Sequence, residues 1–234
     1  MSHFTQIFSG IGGQFISPEV TIIEKLKHIK AFVFDWDGVF TNASKDAELQ
    51  SQFNEADSMG TNLLRFSYFL NKKQLPISSI ISGENNQAAF LLSNREHFDA
   101  TYSKFSNKLI ATKHLMEAHR LQPHEICFVF DDVLDLSLAE VSGVRIFIPR
   151  NANPLLNEYV IKHKLADYIT GSQCGNFAVR EACELLIGLN GNYDEVITQR
   201  KNFSNSYSSY LALRKEISTS HFYLENDVVK EKNL

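Results

Sequence analysis

The chain has 234 residues, 44% apolar and 21% charged, enough for one α/β domain with a sizeable core and an appendage. A net charge of −4 excludes a global attraction to nucleic acid or to an anionic membrane, so any bound anion must be held by a local site. Cys127, Cys174 and Cys183 show no C-x-x-C spacing, which excludes a disulfide framework and a structural zinc site. With no basic leader and no apolar run of about 18 residues, the sequence predicts a cytoplasmic protein without a membrane partner.

Residues 1–29 read as a loose Gly/Ser-containing arm followed by a short helix near 19–28. Ala31-Phe32-Val33-Phe34 is an apolar run of strand length ending at Asp35. Apolar spacing predicts a helix over 58–73, ended by Pro76, then a buried strand over 77–81 that stops at Ser82-Gly83. A helix over 85–93 and a short strand near 99–102 follow, then a helix over 107–121 closed by Pro123. Strands over 126–130 and 144–148 end at Asp131-Asp132 and Pro149. Asn153-Pro154 opens a helix to about 164, residues 168–170 suit an edge strand, and 176–189 is helical. Residues 190–234 are polar and read as a partly helical interaction tail. Strands alternating with helices predict a mostly parallel, Rossmann-like sheet with helices on both faces, filling 30–189.

Polar groups fall where strands end, and in such sheets ligands gather at the carboxyl ends of the strands. Asp35-Trp36-Asp37-Gly38 places two carboxylates two residues apart after a buried strand. Their repulsion calls for a divalent cation, and hard oxygen donors suit magnesium. A carboxylate can also attack a phosphoryl group, while its neighbour handles the leaving-group proton. Ser82 and Gly83 offer a hydroxyl and backbone N–H groups to a phosphate oxygen. Lys108 opens a helix, where its ammonium and the helix N-terminus both favour an anion. Asp131 supplies a further carboxylate, with Asp132 and Asp135 close behind. Taken singly, each of these has a bland reading as a turn, a solvated lysine or a helix cap; their order and strand-end placement make them one candidate site.

That ordered set, D-x-D-G-V-x-T, Ser, Lys, D-D, resembles the four motifs of haloacid-dehalogenase-like phosphatases. Phe53-Asn54, the segment 106–111, Asn153-Pro154-Leu155-Leu156, the segment 166–170 and the segment 178–183 are similar to the 3-deoxy-D-manno-octulosonate 8-phosphate phosphatase subfamily. The resemblance spans about Lys30 to Leu189. It implies Asp35 as nucleophile and metal ligand, and Asp37 as acid/base and a metal ligand through its carbonyl. It also implies Ser82, Gly83 and Lys108 on the phosphoryl group, Asp131 on Mg²⁺, and Asp132 and Asp135 as supporting acids.

Departures from that pattern bear on the substrate. Ala56, Glu84 and Asn176 stand where the subfamily has arginine or an arginine-bearing segment, and an arginine grips a carboxylate bidentately. About 44 residues separate Asp37 from Ser82 and about 25 separate Ser82 from Lys108, too few for a separate cap domain. The resemblance implies a homotetramer that covers each site through a hairpin, here residues 41–53. The expected activity is Mg-dependent hydrolysis of a sugar-acid or sugar phosphate. The alternatives are a related phosphatase of other specificity, or a degenerate subunit that binds a partner through its tail.

Overall fold

The computed structural model describes residues 2–46 and 51–232. Helix α1 (His3–Gly10) and the short strand β1 (Gln14–Phe15) precede α2 (Glu19–Leu26) and the strand β2 (Ala31–Phe34). Then come α3 (Glu55–Lys72), β3 (Ile77–Ile81), α4 (Gln87–Glu96), β4 (Ala100–Ser103) and α5 (Lys108–His119). Strand β5 (Ile126–Phe130), α6 (Leu136–Val141), β6 (Val144–Phe147), α7 (Pro154–Lys162), β7 (Tyr168–Ile169) and α8 (Ala178–Leu189) complete the expected alternation. The chain continues through α9 (Tyr193–Lys201), α10 (Asn205–Lys215), β8 (Ser220–Glu225) and β9 (Val228–Glu231).

The strands form one sheet in the order β1-β7-β6-β5-β2-β3-β4-β8-β9, parallel except for the outermost pairs β1/β7 and β8/β9. The chain runs outward from β2 through β3 and β4, then returns to β5 on the other side of β2 and runs outward again. The order therefore reverses between β2 and β5, and the carboxyl ends of these two strands flank the crevice of a doubly wound sheet. Side-chain alternation sends Phe32 and Phe34 to one core, and Ala31 and Val33 to the other. Helices α3 and α8 pack on the first face, and α5, α6 and α7 on the second. Burial on both faces explains why these strands read as continuous apolar runs.

Local chemistry fixes the helix borders. Helix α3 starts three residues earlier than its apolar spacing suggests, because the Asn54 side chain accepts from the Asp57 N–H at 2.8 Å. Asp57 then accepts from the Arg180 N–H at 2.7 Å and caps α8, whose own preceding residue, Phe177, provides no side-chain cap. Burial pushes the Asp57 carboxyl up to about 6.

Two expectations are revised at the sheet edges. The arm read as loose carries α1 and β1, and Gln14 and Phe15 pair with Ile169 and Tyr168, so β7 is covered and is not an edge. The segment read as a polar tail carries two helices and then adds two strands, with Ser220 to Tyr223 parallel to Ala100 to Ser103. The buried rings of Tyr207 and Tyr210 pack on Phe66. These few large aromatics anchor a segment whose average polarity hides them. No separate cap domain is present among the described residues. Residues 47–50 of the expected 41–53 hairpin lie outside the described residues.

Candidate active site

Asp35 and Asp37 leave β2, and Asp131 leaves β5, so both sides of the crevice supply carboxylates. Oxygens of Asp35, Asp131 and Asp135 lie within 4.8 Å of one another, and all three residues are buried. The third member of the cluster is thus the Asp135 carboxylate. The Asp37 carboxylate points elsewhere, although its backbone carbonyl faces the Arg150 guanidinium at 3.5 Å.

Gly38 makes this geometry possible. Its φ is +93°, and a Cβ there would fall 2.0 Å from Arg150 Nη2 and 2.1 Å from Asp131 Oδ2. Only glycine allows the backbone to turn in this sense while the β5 carboxylate and the arginine approach so closely.

Lys108, the first residue of α5, is buried and its ammonium bridges Asp35 and Asp135. Arg150 pairs with Asp131. Burial outweighs these cations. The Asp35 carboxyl is pushed up to about 6 by desolvation, opposed by Lys108, and that of Asp131 to about 9 by desolvation together with Asp35 and Asp135. The two neighbouring carboxylates hold Lys108 well above its ordinary range against the opposing effect of its burial.

Three buried carboxylates beside one another are under-neutralised, and Asp131 Oδ1 is buried with no hydrogen-bond donor. A dense set of hard oxygens with one orphaned acceptor fits a divalent cation such as magnesium.

The supporting acids divide. Asp135 Oδ2 accepts from the N–H groups of Asp131 and Asp132 at 3.3 and 3.0 Å, which fixes the strand-end turn. Asp132 caps that turn through the Val133 N–H at 2.7 Å. Ser82 is buried, and its Oγ accepts from the Glu84 N–H at 3.2 Å and from Asn86 Nδ2 at 3.0 Å. The Asp37 carboxylate is held by Lys45 Nζ at 2.6 Å and Asn86 Nδ2 at 2.9 Å.

A cavity of about 440 Å³ opens over this group; Asp35, Asp37, Gly83, Lys108, Asp132 and Asp135 are among the residues lining it. Val133 and Leu134 at its mouth are exposed.

Lys45, Asn86 and Arg150 carry no motif and escaped the sequence reading. Arg150 obeys the strand-end rule one strand further out, after β6, and that signal was available. Lys45 and Asn86 reach Asp37 across 8 and 49 residues, and only the tertiary structure brings them there. Of the departures, Glu84 lines the cavity, whereas Ala56 and Asn176 do not.

No family model matches the chain. A 3-deoxy-D-manno-octulosonate 8-phosphate phosphatase of Escherichia coli K12 is 29% identical over 178 residues, which cover 74% of this chain and 87% of that protein. Among solved structures, a HAD superfamily (subfamily III A) hydrolase of Legionella pneumophila superposes with TM-score 0.65 at 26% identity, covering 79% of this chain and 96% of that one. A 3-deoxy-D-manno-octulosonate 8-phosphate phosphatase of Moraxella catarrhalis, in complex with magnesium, phosphate and KDO, gives TM-score 0.64 at 26% identity over 76% and 97%. Together with the doubly wound sheet and its strand-end carboxylates, these likenesses support a haloacid-dehalogenase-like phosphatase, a class of phosphoric monoester hydrolases. Within that class the chain stands close to the 3-deoxy-D-manno-octulosonate 8-phosphate phosphatases.

Proposed function

We propose that the chain hydrolyses a small sugar phosphate or sugar-acid phosphate with Mg²⁺, through a phosphoryl group carried transiently on Asp35. The observation that carries this reading is the buried Asp35 carboxylate at the β2–β5 crossover, clustered with Asp131 and Asp135 and paired with Lys108. Asp35, Asp131 and the Asp37 carbonyl would hold the cation, which supplies charge neutralisation for an anionic nucleophile meeting an anionic ester.

Asp35 attacks phosphorus in line, and its carboxylate oxygen replaces the sugar oxygen. Lys108 and Ser82 donate to the phosphoryl oxygens, with Gly83 lining the phosphate pocket. Asp37 gives its proton to the departing sugar oxygen. It then takes one from the water that attacks the phosphorus of the aspartyl phosphate, releasing phosphate and regenerating Asp35. The Lys45 ammonium and the Asn86 amide that pin Asp37 keep it within reach of both proton transfers. Asp132 and Asp135 support the site by holding the strand-end turn, and Asp135 also holds Lys108.

The cavity has no cap of its own among the described residues, and exposed Val133 and Leu134 stand at its mouth. The reading therefore includes a homo-oligomer, a tetramer by resemblance, in which a neighbouring copy covers the site. A monomer with full activity at micromolar concentration, by light scattering, removes that part. No helix among the described residues is long and apolar enough to cross a membrane, and all three cysteines are free. Both facts support action in the cytoplasm.

The test is hydrolysis of p-nitrophenyl phosphate. Activity is expected to vanish with chelator, return with Mg²⁺, and be abolished in Asp35→Asn with the fold intact. Activity in Asp35→Asn that resists chelator refutes the mechanism.

A further inference from the structure

Asn86 sits at the N-cap of α4, where an asparagine oxygen ordinarily accepts from the first turn of the helix. Asn54 and Asn107 do this for α3 and α5. Asn86 does not. Uncapped asparagines also precede α7 and α9, so a missing cap alone carries no meaning. What sets Asn86 apart is where its amide goes.

The side chain is buried, 1% exposed, and turned into the site. Nδ2 donates to Asp37 Oδ2 at 2.9 Å and to Ser82 Oγ at 3.0 Å. Oδ1 accepts from Lys45 Nζ at 2.9 Å, with Ser51 Oγ at 3.4 Å. The orientation is fixed by chemistry, since the Lys45 ammonium can only donate and so must face the amide oxygen. Reversing the amide would set its NH₂ against Lys45 and its oxygen against Asp37.

Two consequences follow for the reaction. Ser82 Oγ already accepts from Asn86 and from the Glu84 N–H at 3.2 Å, so its own O–H is left to donate, the polarity a phosphoryl oxygen needs. Asp37, on the loop after β2, is tied to Ser82, on the loop after β3, through the two hydrogens of one amide. The spacing between the proton-transferring carboxylate and the phosphoryl-holding hydroxyl is thereby set by a rigid planar group.

We infer that Asn86 is a positioning residue of the reaction: it forgoes capping α4 in order to lock Asp37 and Ser82 into one geometry. The inference rests on the phosphatase reading above. It adds to that reading a residue with no motif, at a position where helix stability and catalysis compete.

Asn86→Ser separates the two demands. Serine caps a helix as well as asparagine does, but is too short to bridge Asp37 and Ser82. With Mg²⁺ and p-nitrophenyl phosphate, the melting temperature is expected to hold or rise. The turnover number kcat is expected to fall about 100-fold, the scale of a roughly 1 Å misplacement, with KM changed by less than about threefold. Asn86→Asp keeps the shape and can cap, but faces Asp37 with a like charge, so its kcat should fall at least as far while it stays folded.

A kcat within about threefold of wild type in either folded variant overturns the inference, given an effect of about 100-fold for misplacement. Loss of cooperative unfolding in both variants also overturns it, because Asn86 is then a structural bond. A wild-type chain with no Mg-dependent hydrolysis overturns the phosphatase reading and this inference with it. An active wild type beside an unaffected variant removes the inference alone.

Discussion

Replacing Lys108 with methionine tests the site's electrostatics and its chemistry together. The ammonium is 3% exposed and bridges Asp35 and Asp135, whose side chains are 8% and 1% exposed. Methionine fills most of the space and leaves two buried carboxylates without their counter-ion. Removing one partner of a buried ion pair costs about 3–5 kcal/mol. For a chain of this size that corresponds to about 6–20 °C in melting temperature, at roughly 2–4 °C per kcal/mol.

The loss depends on pH. The folded-state pKa of Asp35, about 6, lies above the reference 3.8, so the folded protein binds the extra proton between these values. Ionising Asp35 therefore costs stability as pH rises through that window, and this cost is absent below it. Without Lys108 the window moves upward. Melting in the presence of chelator should show the full drop at pH 8 and about half of it at pH 5, where Asp35 is already protonated. Hydrolysis of p-nitrophenyl phosphate with Mg²⁺ should fall by about 100-fold or more, the usual effect of removing one preorganised donor from a developing anion. A drop below about 3 °C at pH 8 falls well short of the buried-pair cost and would refute the argument. An equal drop at both pH values would refute it as well.

Three further outcomes are expected. Gly38→Ala should abolish hydrolysis, because its Cβ would lie about 2 Å from Asp131 and Arg150; near-normal kcat would show that the loop can shift at little cost. Asp167→Asn should cost about 3 kcal/mol or more in urea unfolding at pH 7, because the buried Asp167 carboxylate holds Arg145, Lys25 and Ser17. These partners hold its pKa below the ordinary carboxyl range against burial, so the contribution is present above that range and is lost as pH falls through the folded value; a difference that persists unchanged at pH 2 counts against this. A matched pair of sugar phosphates, one with a carboxylate and one without, should give similar kcat/KM. Every cation lining the cavity is already paired with a site carboxylate, and exposed Glu84 repels a second anion. A preference of about 100-fold for the acid, near the top of what one charge-assisted hydrogen bond supplies, would show that Lys45 or Arg150 leaves its partner to grip the substrate. Arg65 and Arg180 are not available for that task. Arg65 is buried on the carbonyls of Glu96 and His97, and Arg180 pairs with Glu184.

The parallel sheet and the place of the site were legible in the sequence because both depend on local pattern. Apolar runs of strand length ending in Asp35, Ser82 and Asp131 declare buried parallel strands, and such strands gather their polar ends at one edge. The ends of the chain were not legible, since β1 and β8 are recognisable only by the strands they pair with, and their residues average out as polar. The same holds within the site. Motif spacing set Asp35, Asp37, Lys108 and Asp131 on the strand ends and the first turn of a helix, but it could not say which carboxylate faces which cation. That Asp135 joins Asp35 and Asp131, that Arg150 sits on Asp131, and that Asn86 ties Asp37 to Ser82 follow from distances across separate βα units. Sequence patterns record the period of an element and the chemistry of its ends. The pairing of buried charges depends on which ends the folded chain brings within a few ångströms, where the low dielectric makes each contact count.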